Sequence, residues 1–293
     1  MTEMTYMVIE ECHGLFPVSS ATAALGVSRS GYYRWLHMGR VEEAGGSVLL
    51  REEIQRVAVE YPCYGYRRIA AELRNHGTLV SSKKVLRLMR MDNLLCARKR
   101  FRLCTTDSCH GEKVYPNLAR GMRVSGVNQL WVADITYIRL EREFVYLAVV
   151  VDVFSRRCVG WELDRRIDTG LALDALRKAL RTRADTGLAG LIHHSDQGVQ
   201  YASREYVEYL QMHGIQISMS RRGNPYDNAY AESFFKTLKY EEVYVKEYDT
   251  FKEAREDIEH FIDQVYNLKR LHSGIGYRSP MEFEKTLNLN TVA

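Results

Sequence analysis

Residues 129–140, QLWVADITYIRL, decide the fold of this chain. Apolar side chains occupy both alternating positions, which is typical of a central strand covered on both faces. Asp134 stands in the middle of this run, where an isolated carboxylate is costly unless it is paired, hydrogen-bonded or bound to a cation. Pairing with Arg139 or with the Thr136 hydroxyl is one solution, and a metal ion is another.

The segments that follow predict an α/β layered domain, because three strands are followed by alternating helices and strands. The strands are predicted at FVYLAVVVD (144–152), RCVGWEL (157–163), LAGLIHHSD (188–196) and GIQISMS (214–220). The helices are predicted at Thr169–Thr182, Ser203–His213 and Asp227–Tyr240, with a further amphipathic helix at Thr250–Leu268 before the loop HSGIGYRSP.

Two more acids are predicted to lie near Asp134. Asp196 ends the strand LIHHSD, at the carboxyl edge where open α/β sheets carry their sites, and Glu232 lies on the helix after the last strand. Each has an ordinary alternative, since Asp before Gly often caps a turn and Glu232 can be a solvated helix acid. Together, three carboxylates at one edge suit a hard cation such as Mg²⁺ or Mn²⁺.

The N-terminal third predicts two helix-turn-helix units. In VSSATAALGVSRSGYYRWL (18–36), a short helix at about 20–25 is followed by a turn at Gly26 and a second helix capped by Ser28. In YGYRRIAAELRNHG (64–77), apolar residues recur at helical spacing and Gly77 can end the helix. The segment SSKKVLRLMRMDNLL (81–95) restarts from a serine cap, with Val85, Leu86 and Met89 on one face.

Charge is distributed unevenly along the chain. The net charge is +4, but residues 1–125 carry 19 Lys/Arg against 12 Asp/Glu, and residues 67–102 carry 11 bases and two acids. A solvated helix face normally mixes both signs, so this block predicts a surface that contacts nucleic-acid phosphates. The candidate DNA-binding residues here are Arg67, Lys83, Lys84, Arg87, Arg90, Arg98, Lys99 and Arg100.

Neither a membrane span nor a signal peptide is expected. The longest apolar run, Phe144 to Val151, is the length of a strand. The N-terminus MTEMTYMVIEECHG carries acids where a signal peptide needs a basic start and an apolar block. The expected location is therefore the cytoplasm.

The spacing of the acids and the words around them resemble a known family. Asp134 and Asp196 are separated by 61 residues, Asp196 and Glu232 by 35, and Lys239 follows seven positions later. This is similar to the DD(35)E signature of retroviral integrases and bacterial transposases. Four sequence motifs resemble the OrfB-type transposases of the insertion sequence 3 family: WVADITYI, HHSDQGVQY, RRGNPYDNAYAESFFKTLKYE and HSGIGYRSPMEFE. The resemblance extends from about Tyr64 to Lys285. The His/Cys zinc module of retroviral integrases has no counterpart here.

The resemblance implies a ribonuclease H-like catalytic core with a five-stranded mixed sheet and helices, preceded by helix-turn-helix domains and followed by a C-terminal helical segment. It implies metal-dependent DNA strand cleavage and strand transfer with two Mg²⁺ or Mn²⁺ ions. Asp134, Asp196 and Glu232 are then both the catalytic and the metal-binding residues, Asp134 bridging the ions. Lys239, on nearly the same helix face as Glu232, is expected to contact a DNA phosphate, and Asn228 is a further candidate DNA contact with an equally plausible structural role.

The implied partners are DNA, both the element's terminal inverted repeats and the target, further copies of the chain on that DNA, and an upstream OrfA-type helix-turn-helix protein or fusion. The predicted segments are an N-terminal helical region (1–60), a basic helix-turn-helix (61–105), a linker (106–127), the catalytic core (128–245) and a C-terminal helical extension (246–293). Two other hypotheses remain: a related nuclease that cuts without joining, and a non-enzymatic DNA-binding regulator whose acids are structural.

Three other polar residues near the predicted site are given structural roles. Asp152 is a strand-end acid to which the family pattern assigns no metal, and capping the turn before Ser155 is its expected role. His193 and His194 are adjacent in a strand and point to opposite faces, so they are poorly placed to chelate one ion.

Overall fold

The computed structural model describes residues 2–12, 14–42, 46–95, 113–221 and 228–291. The chain divides into two compact units, Met1–Cys96 and Ala97–Ala293. Within the described residues, no helix is long and apolar enough to cross a membrane.

The first unit is helical throughout its described part. Its helices are α1 (Thr2–Glu11), α2 (Val18–Ala24), α3 (Arg29–Glu42), α4 (Gly46–Glu60), α5 (Tyr66–Asn75) and α6 (Ser82–Met91). Gly26 has a φ of +66° in the turn between α2 and α3, where glycine carries no steric penalty. The Ser28 hydroxyl accepts a hydrogen bond of 3.0 Å from the Gly31 amide at the start of α3. The predicted helix-turn-helix pair and its serine cap are therefore present.

Helices α4, α5 and α6 form the second helical module. Ser81 caps α6 by accepting a hydrogen bond from the Lys84 amide at 3.3 Å, and Gly77, with a φ of +90°, follows the end of α5. The buried face of α6 consists of Val85, Leu88 and Met89. Leu86, predicted for that face, is only half-buried, because Leu88 lies three residues after Val85 and takes its place.

Helix α4 is fastened to the end of α6 by a two-bonded ion pair between Arg51 and Asp92. The hydroxyl of Thr78 also donates a hydrogen bond to Glu53 of α4 at 2.9 Å. These contacts join residues before residue 61 to residues after it. The five-segment division of the sequence stays a prediction.

The second unit contains the predicted mixed sheet. Its strands are β1 (Leu130–Arg139), β2 (Phe144–Asp152), β3 (Cys158–Asp164), β4 (Ile192–Ser195) and β5 (Gln216–Met219). The spatial order is β3-β2-β1-β4-β5. The β1–β2 and β2–β3 pairs are antiparallel, whereas the β1–β4 and β4–β5 pairs are parallel. β1 is thus the central strand, as its apolar sequence predicted.

Helices cover both faces of this sheet, giving two apolar cores. One face carries α7 (Thr169–Thr182), α8 (Val199–Ala202) and α9 (Arg204–Met212). The other carries α10 (Ala229–Leu238) and α12 (Phe251–His260). Gly160 lets α7 approach β3 closely, because an added Cβ would lie 2.2 Å from the Ala175 carbonyl oxygen and 2.6 Å from the Ala179 nitrogen.

The C-terminal part is a succession of short helical segments. After α10 come a π-helical turn (Lys239–Val243), α11 (Tyr244–Lys246), α12, a second π-helical turn (Phe261–Tyr266), a 3₁₀ turn (Ser273–Ile275) and α13 (Pro280–Thr291). The single helix predicted over Thr250–Leu268 is therefore an α-helix that widens into a π turn after His260. Glu284 anchors α13 by accepting hydrogen bonds from Arg157 at 2.8 Å and from Arg183 at 3.0 Å.

Candidate active site

Two parallel strands bring Asp134 and Asp196 to the same edge. The last paired position of β1 and β4 joins Val132 to His194, and each aspartate lies two residues beyond it. Because β4 ends at Ser195, Asp134 lies where the sheet opens on one side of β1. Strand alternation points the Asp134 side chain to the face covered by α10, since Val132 packs into that core.

Helix α10 is held against β1 by the residue before it. The buried Asn228 side chain donates a hydrogen bond of 3.2 Å to the carbonyl oxygen of Ala133, the neighbour of Asp134. Ala231, Phe234 and Leu238 bury the apolar face of α10 against the sheet. Glu232 lies one turn after Asn228, exposed in the first turn. Glu232 is near enough to Asp134 for its negative charge to raise the pKa of Asp134.

The electrostatics of Asp134 reflect this gathering of charge. Burial raises the pKa of Asp134 well above its usual value, and the negative charges of Asp196 and Glu232 raise it further. The backbone amide of Ile135, which donates to Asp134 Oδ1 at 2.8 Å, and the Lys239 ammonium act in the opposite direction. Burial also raises the pKa of Glu232. A cation at this edge would relieve these penalties.

Lys239 lies at the far end of α10, seven residues after Glu232. Its Nζ lies 4.6 Å from the centre of the Tyr137 ring on β1, a cation–π distance. Burial lowers the pKa of Lys239, and the attraction of Asp134 partly restores it. Tyr137 was not singled out from the sequence. The alternation of residues in β1 does not distinguish a tyrosine that contacts a lysine from one that packs in the core.

The turn after β4 is shaped by Asp196 itself. Its Oδ1 accepts a hydrogen bond of 2.9 Å from the Gly198 amide. A Cβ at Gly198 would lie 2.9 Å from the same oxygen, so only glycine fits without displacing the carboxylate. The turn-capping alternative is thus present for Asp196, and its role at the site stays a prediction.

The chemistry of the acids suits a hard divalent cation. Carboxylate oxygens, which all three of these acids carry, are the ligands that Mg²⁺ and Mn²⁺ prefer. Among the residues that the structure describes, no three His, Cys, Asp or Glu side chains lie close enough to hold one ion. Neighbouring carboxylates repel one another when ionised, so a close cluster of these acids requires a compensating cation.

The residues given structural roles from the sequence have them. Asp152 is fully buried, and its Oδ1 accepts hydrogen bonds from the Phe154 amide at 3.0 Å and the Ser155 amide at 2.9 Å. It caps the turn, as predicted. His193 lies 3.0 Å from the Tyr206 hydroxyl and His194 lies 2.8 Å from the Ser218 hydroxyl, so the two rings point apart.

Tyr201 is a residue near the acids to which the sequence gave no firm role. It is buried on α8, and the charges of Asp134 and Asp196 contribute to raising its pKa after burial and Tyr206. Its hydroxyl has no hydrogen-bond partner within the described structure. The position of this tyrosine, five residues after Asp196, is the only sequence signal that marks it.

The candidate DNA-binding residues of the first unit lie on α5 and α6. Arg67, Lys83, Lys84 and Arg90 are exposed, and Arg87 is half-buried. The bases therefore lie on the solvent side of the helices, opposite the buried apolar face. Arg98, Lys99 and Arg100 lie outside the described residues.

Three family models match parts of this chain. Two models described as integrase core domains match residues 124–225 and 213–280, and one described as an HTH-like domain matches residues 48–102. Among solved structures, the simian T-cell lymphotropic virus intasome in complex with PP2A regulatory subunit B56 gamma is similar, with a TM-score of 0.45 and 18% identity. That match covers 78% of this chain and 73% of the other.

Curated relatives are more similar still. The transposase for insertion sequence element IS904 of Lactococcus lactis is 39% identical over 239 residues, covering 81% of this chain and 94% of that protein. The transposase InsF for insertion sequence IS3A of Escherichia coli is 34% identical over 287 residues, covering 96% and 98%. The resemblance seen in the sequence motifs is thereby confirmed, and the chain belongs to the insertion sequence 3 family of DDE transposases, polynucleotidyl transferases with a ribonuclease H-like integrase core.

Proposed function

We propose that Asp134, Asp196 and Glu232 hold the divalent metal ions, Mg²⁺ or Mn²⁺, with which this transposase cleaves and joins DNA strands at the ends of its element. Two ions are proposed, and when bound they supply activation of the attacking oxygen and stabilisation of the leaving oxygen. The observation that carries the proposal is the register of β1 and β4, in which the two aspartates follow the last paired residues at equivalent positions, with the helix that bears Glu232 fastened to β1 beside Asp134.

The protein's own residues are proposed to orient the scissile phosphate. Asn228 fastens α10 to β1, and this contact keeps the position of Glu232 relative to Asp134 constant. The Lys239 ammonium, held over the Tyr137 ring, is placed to contact a phosphate oxygen on the same face of α10. Asn228 acts in this scheme as a positioning residue, and its direct contact with DNA stays a prediction.

The first unit is proposed to supply most of the affinity for DNA. The exposed bases of α5 and α6 neutralise backbone phosphates, whose bound counterions are then released. Recognition of the terminal inverted repeats and the target, assembly of several copies on the DNA, and action with an OrfA-type partner or fusion in the bacterial cytoplasm are proposed on the family resemblance. The five-segment domain division is likewise part of the proposal.

The experiment that tests the metal assignment is a strand-transfer assay. The full chain is incubated with Mg²⁺ or Mn²⁺ and a DNA fragment carrying the terminal repeats of its element. Glu232→Gln keeps the shape of the side chain and removes its charge, so we expect no nicked or joined product while DNA binding is retained. Glu256→Gln, an exposed acid on α12, is the matched control and should be as active as the wild type. Full strand transfer by Glu232→Gln would refute the assignment.

A further inference from the structure

The second unit contains a cleft that the proposed chemistry does not use. Its volume is about 580 Å³, within the range of sites that hold small molecules or single nucleotides. Three stretches of chain that are distant in sequence line it: the segment before β1, the turn between β2 and β3, and the HSGIGYRSP motif with the start of α13. Tyr230 of α10 completes the wall.

Aromatic rings line the cleft. Phe154 and Phe283 are in contact, with ring centres 5.4 Å apart and planes inclined at 52°. Tyr230 remains 38% exposed, an unusual exposure for a large ring on a helix that buries its other aromatic residues. A planar ligand that enters the cleft would therefore meet aromatic rings.

Two arginines give the cleft its charge. The Arg156 guanidinium lies 4.0 Å from the centre of the Tyr230 ring, and its backbone has a φ of +65°. A Cβ on Gly274 would lie 3.5 Å from Arg156 Nη2, so the HSGIGYRSP loop runs directly beside this guanidinium. Arg278 is exposed at the same cleft.

The described residues that line the cleft add no acid beside these arginines. The nearby Glu284 accepts hydrogen bonds from Arg157 and Arg183 and is thus already engaged. The cleft consequently presents aromatic rings and unneutralised guanidinium groups together.

We propose that this cleft binds an unpaired nucleotide of the DNA substrate, its base on the aromatic rings and its phosphate at Arg156 and Arg278. Base faces are covered by stacking inside a duplex, so rings of this kind reach a base only where the strand is unpaired. Aromatic stacking combined with arginine contacts to the backbone is the usual chemistry of single-strand binding. An apolar protein segment would leave the two arginine charges without a partner, so the charge of the cleft favours nucleic acid as its ligand.

The position of Tyr230 connects the cleft to the proposed active site. It lies two residues before Glu232 in the first turn of α10, on the opposite side of the helix, since two residues correspond to about 200°. A strand processed at Glu232 can thus place a neighbouring unpaired nucleotide across the start of the same helix. This inference rests on the proposed function in that the ligand is the transposase's own DNA.

The test is a binding comparison between a blunt duplex and the same duplex with a single-stranded thymidine tail, in EDTA with the full chain. We expect the tail to increase affinity at least about 5-fold, the lower end for stacking of one base on an aromatic ring. Tyr230→Ala should abolish this gain, and Tyr230→Phe should retain it. Arg156→Gln with Arg278→Gln should lower the salt dependence of tail binding by roughly 0.7 per arginine.

A control variant and a crosslinking experiment complete the test of the cleft. Arg142→Gln removes an exposed charge from the β1–β2 turn, at the other end of β2 from the cleft, and should leave the gain from the tail unchanged. A 4-thiothymidine in the tail should crosslink, on illumination, to Phe154, Tyr230 or Phe283.

Three results would overturn the inference: equal affinity for blunt and tailed duplexes, crosslinks only to other parts of the chain, or arginine variants that change the oligomeric state but not tail binding. The last would assign the cleft to a protein partner. Because the assay contains no metal, failure of the metal assignment would leave this result unaffected.

Discussion

Replacing Asp152 with alanine provides a severe test of how the sheet edge is built. Asp152 is fully buried at the end of β2. Its carboxylate accepts hydrogen bonds from three backbone amides: Asn128 at 2.7 Å, Phe154 at 3.0 Å and Ser155 at 2.9 Å. One side chain therefore joins the start of β1 to the β2–β3 turn.

The expected loss of stability follows from these bonds. Each buried amide left without a partner costs about 1–3 kcal/mol, so three give roughly 3–9 kcal/mol before compensation. Burial raises the pKa of Asp152, which shows that its ionised form is itself costly and that removing it recovers part of the loss. We expect a net destabilisation of about 3–5 kcal/mol, or roughly 6–20 °C in Tm for a unit of this size.

The assay is urea unfolding of the full chain, read by hydrogen exchange in peptides from β1 to β3 so that the second unit is observed separately. Asp185→Ala, at an exposed acid, is the control and should change stability by less than about 0.5 kcal/mol. If Asp152→Ala unfolds at the same urea concentration as the wild type, the turn-capping interpretation is wrong.

Three further predictions concern the site, the core and the DNA-binding helices. The pKa of Asp134 is higher in the folded protein than in the unfolded chain, so the folded state loses stability as the pH rises through the folded pKa. In EDTA at pH 8, Asp134→Asn should therefore have a higher Tm than the wild type. Thermal scans should show this gain in Tm vanish by about pH 4. Gly160→Ala places a Cβ 2.2 Å from the Ala175 carbonyl oxygen and should cost at least about 1–3 kcal/mol in urea unfolding, whereas unchanged stability would mean that α7 shifts freely. Lys83→Gln and Lys84→Gln should each lower the salt slope of duplex binding by about 0.9, and an unchanged slope would remove α6 from the DNA surface.

Much of the second unit could be predicted because its signals are local. The apolar run around Asp134 identifies the central strand, and helix α7 has the predicted bounds, Thr169–Thr182. The opposite directions of His193 and His194 follow from strand geometry alone. The capping role of Asp152 was likewise predictable, since Asp followed by Ser at a strand end commonly accepts turn amides.

Features that depend on distant contacts were not predictable. The cleft joins Phe154 to Phe283, residues separated by more than a hundred positions, and no local pattern links them. The π-helical turn after His260 has the same apolar spacing as a regular helix and is decided by packing. The tether from Asn228 to the Ala133 carbonyl joins two elements whose proximity is established only by the fold.

The measurement that tests the central claim most directly is anomalous scattering from Mn²⁺ in crystals of the full chain bound to DNA. We predict manganese coordinated by carboxylate oxygens of Asp134 and Asp196, with the Glu232 side chain moved in to complete the site. Manganese bound elsewhere, or a Glu232 carboxylate that stays away from the ion while a DNA phosphate is in place, would contradict the account.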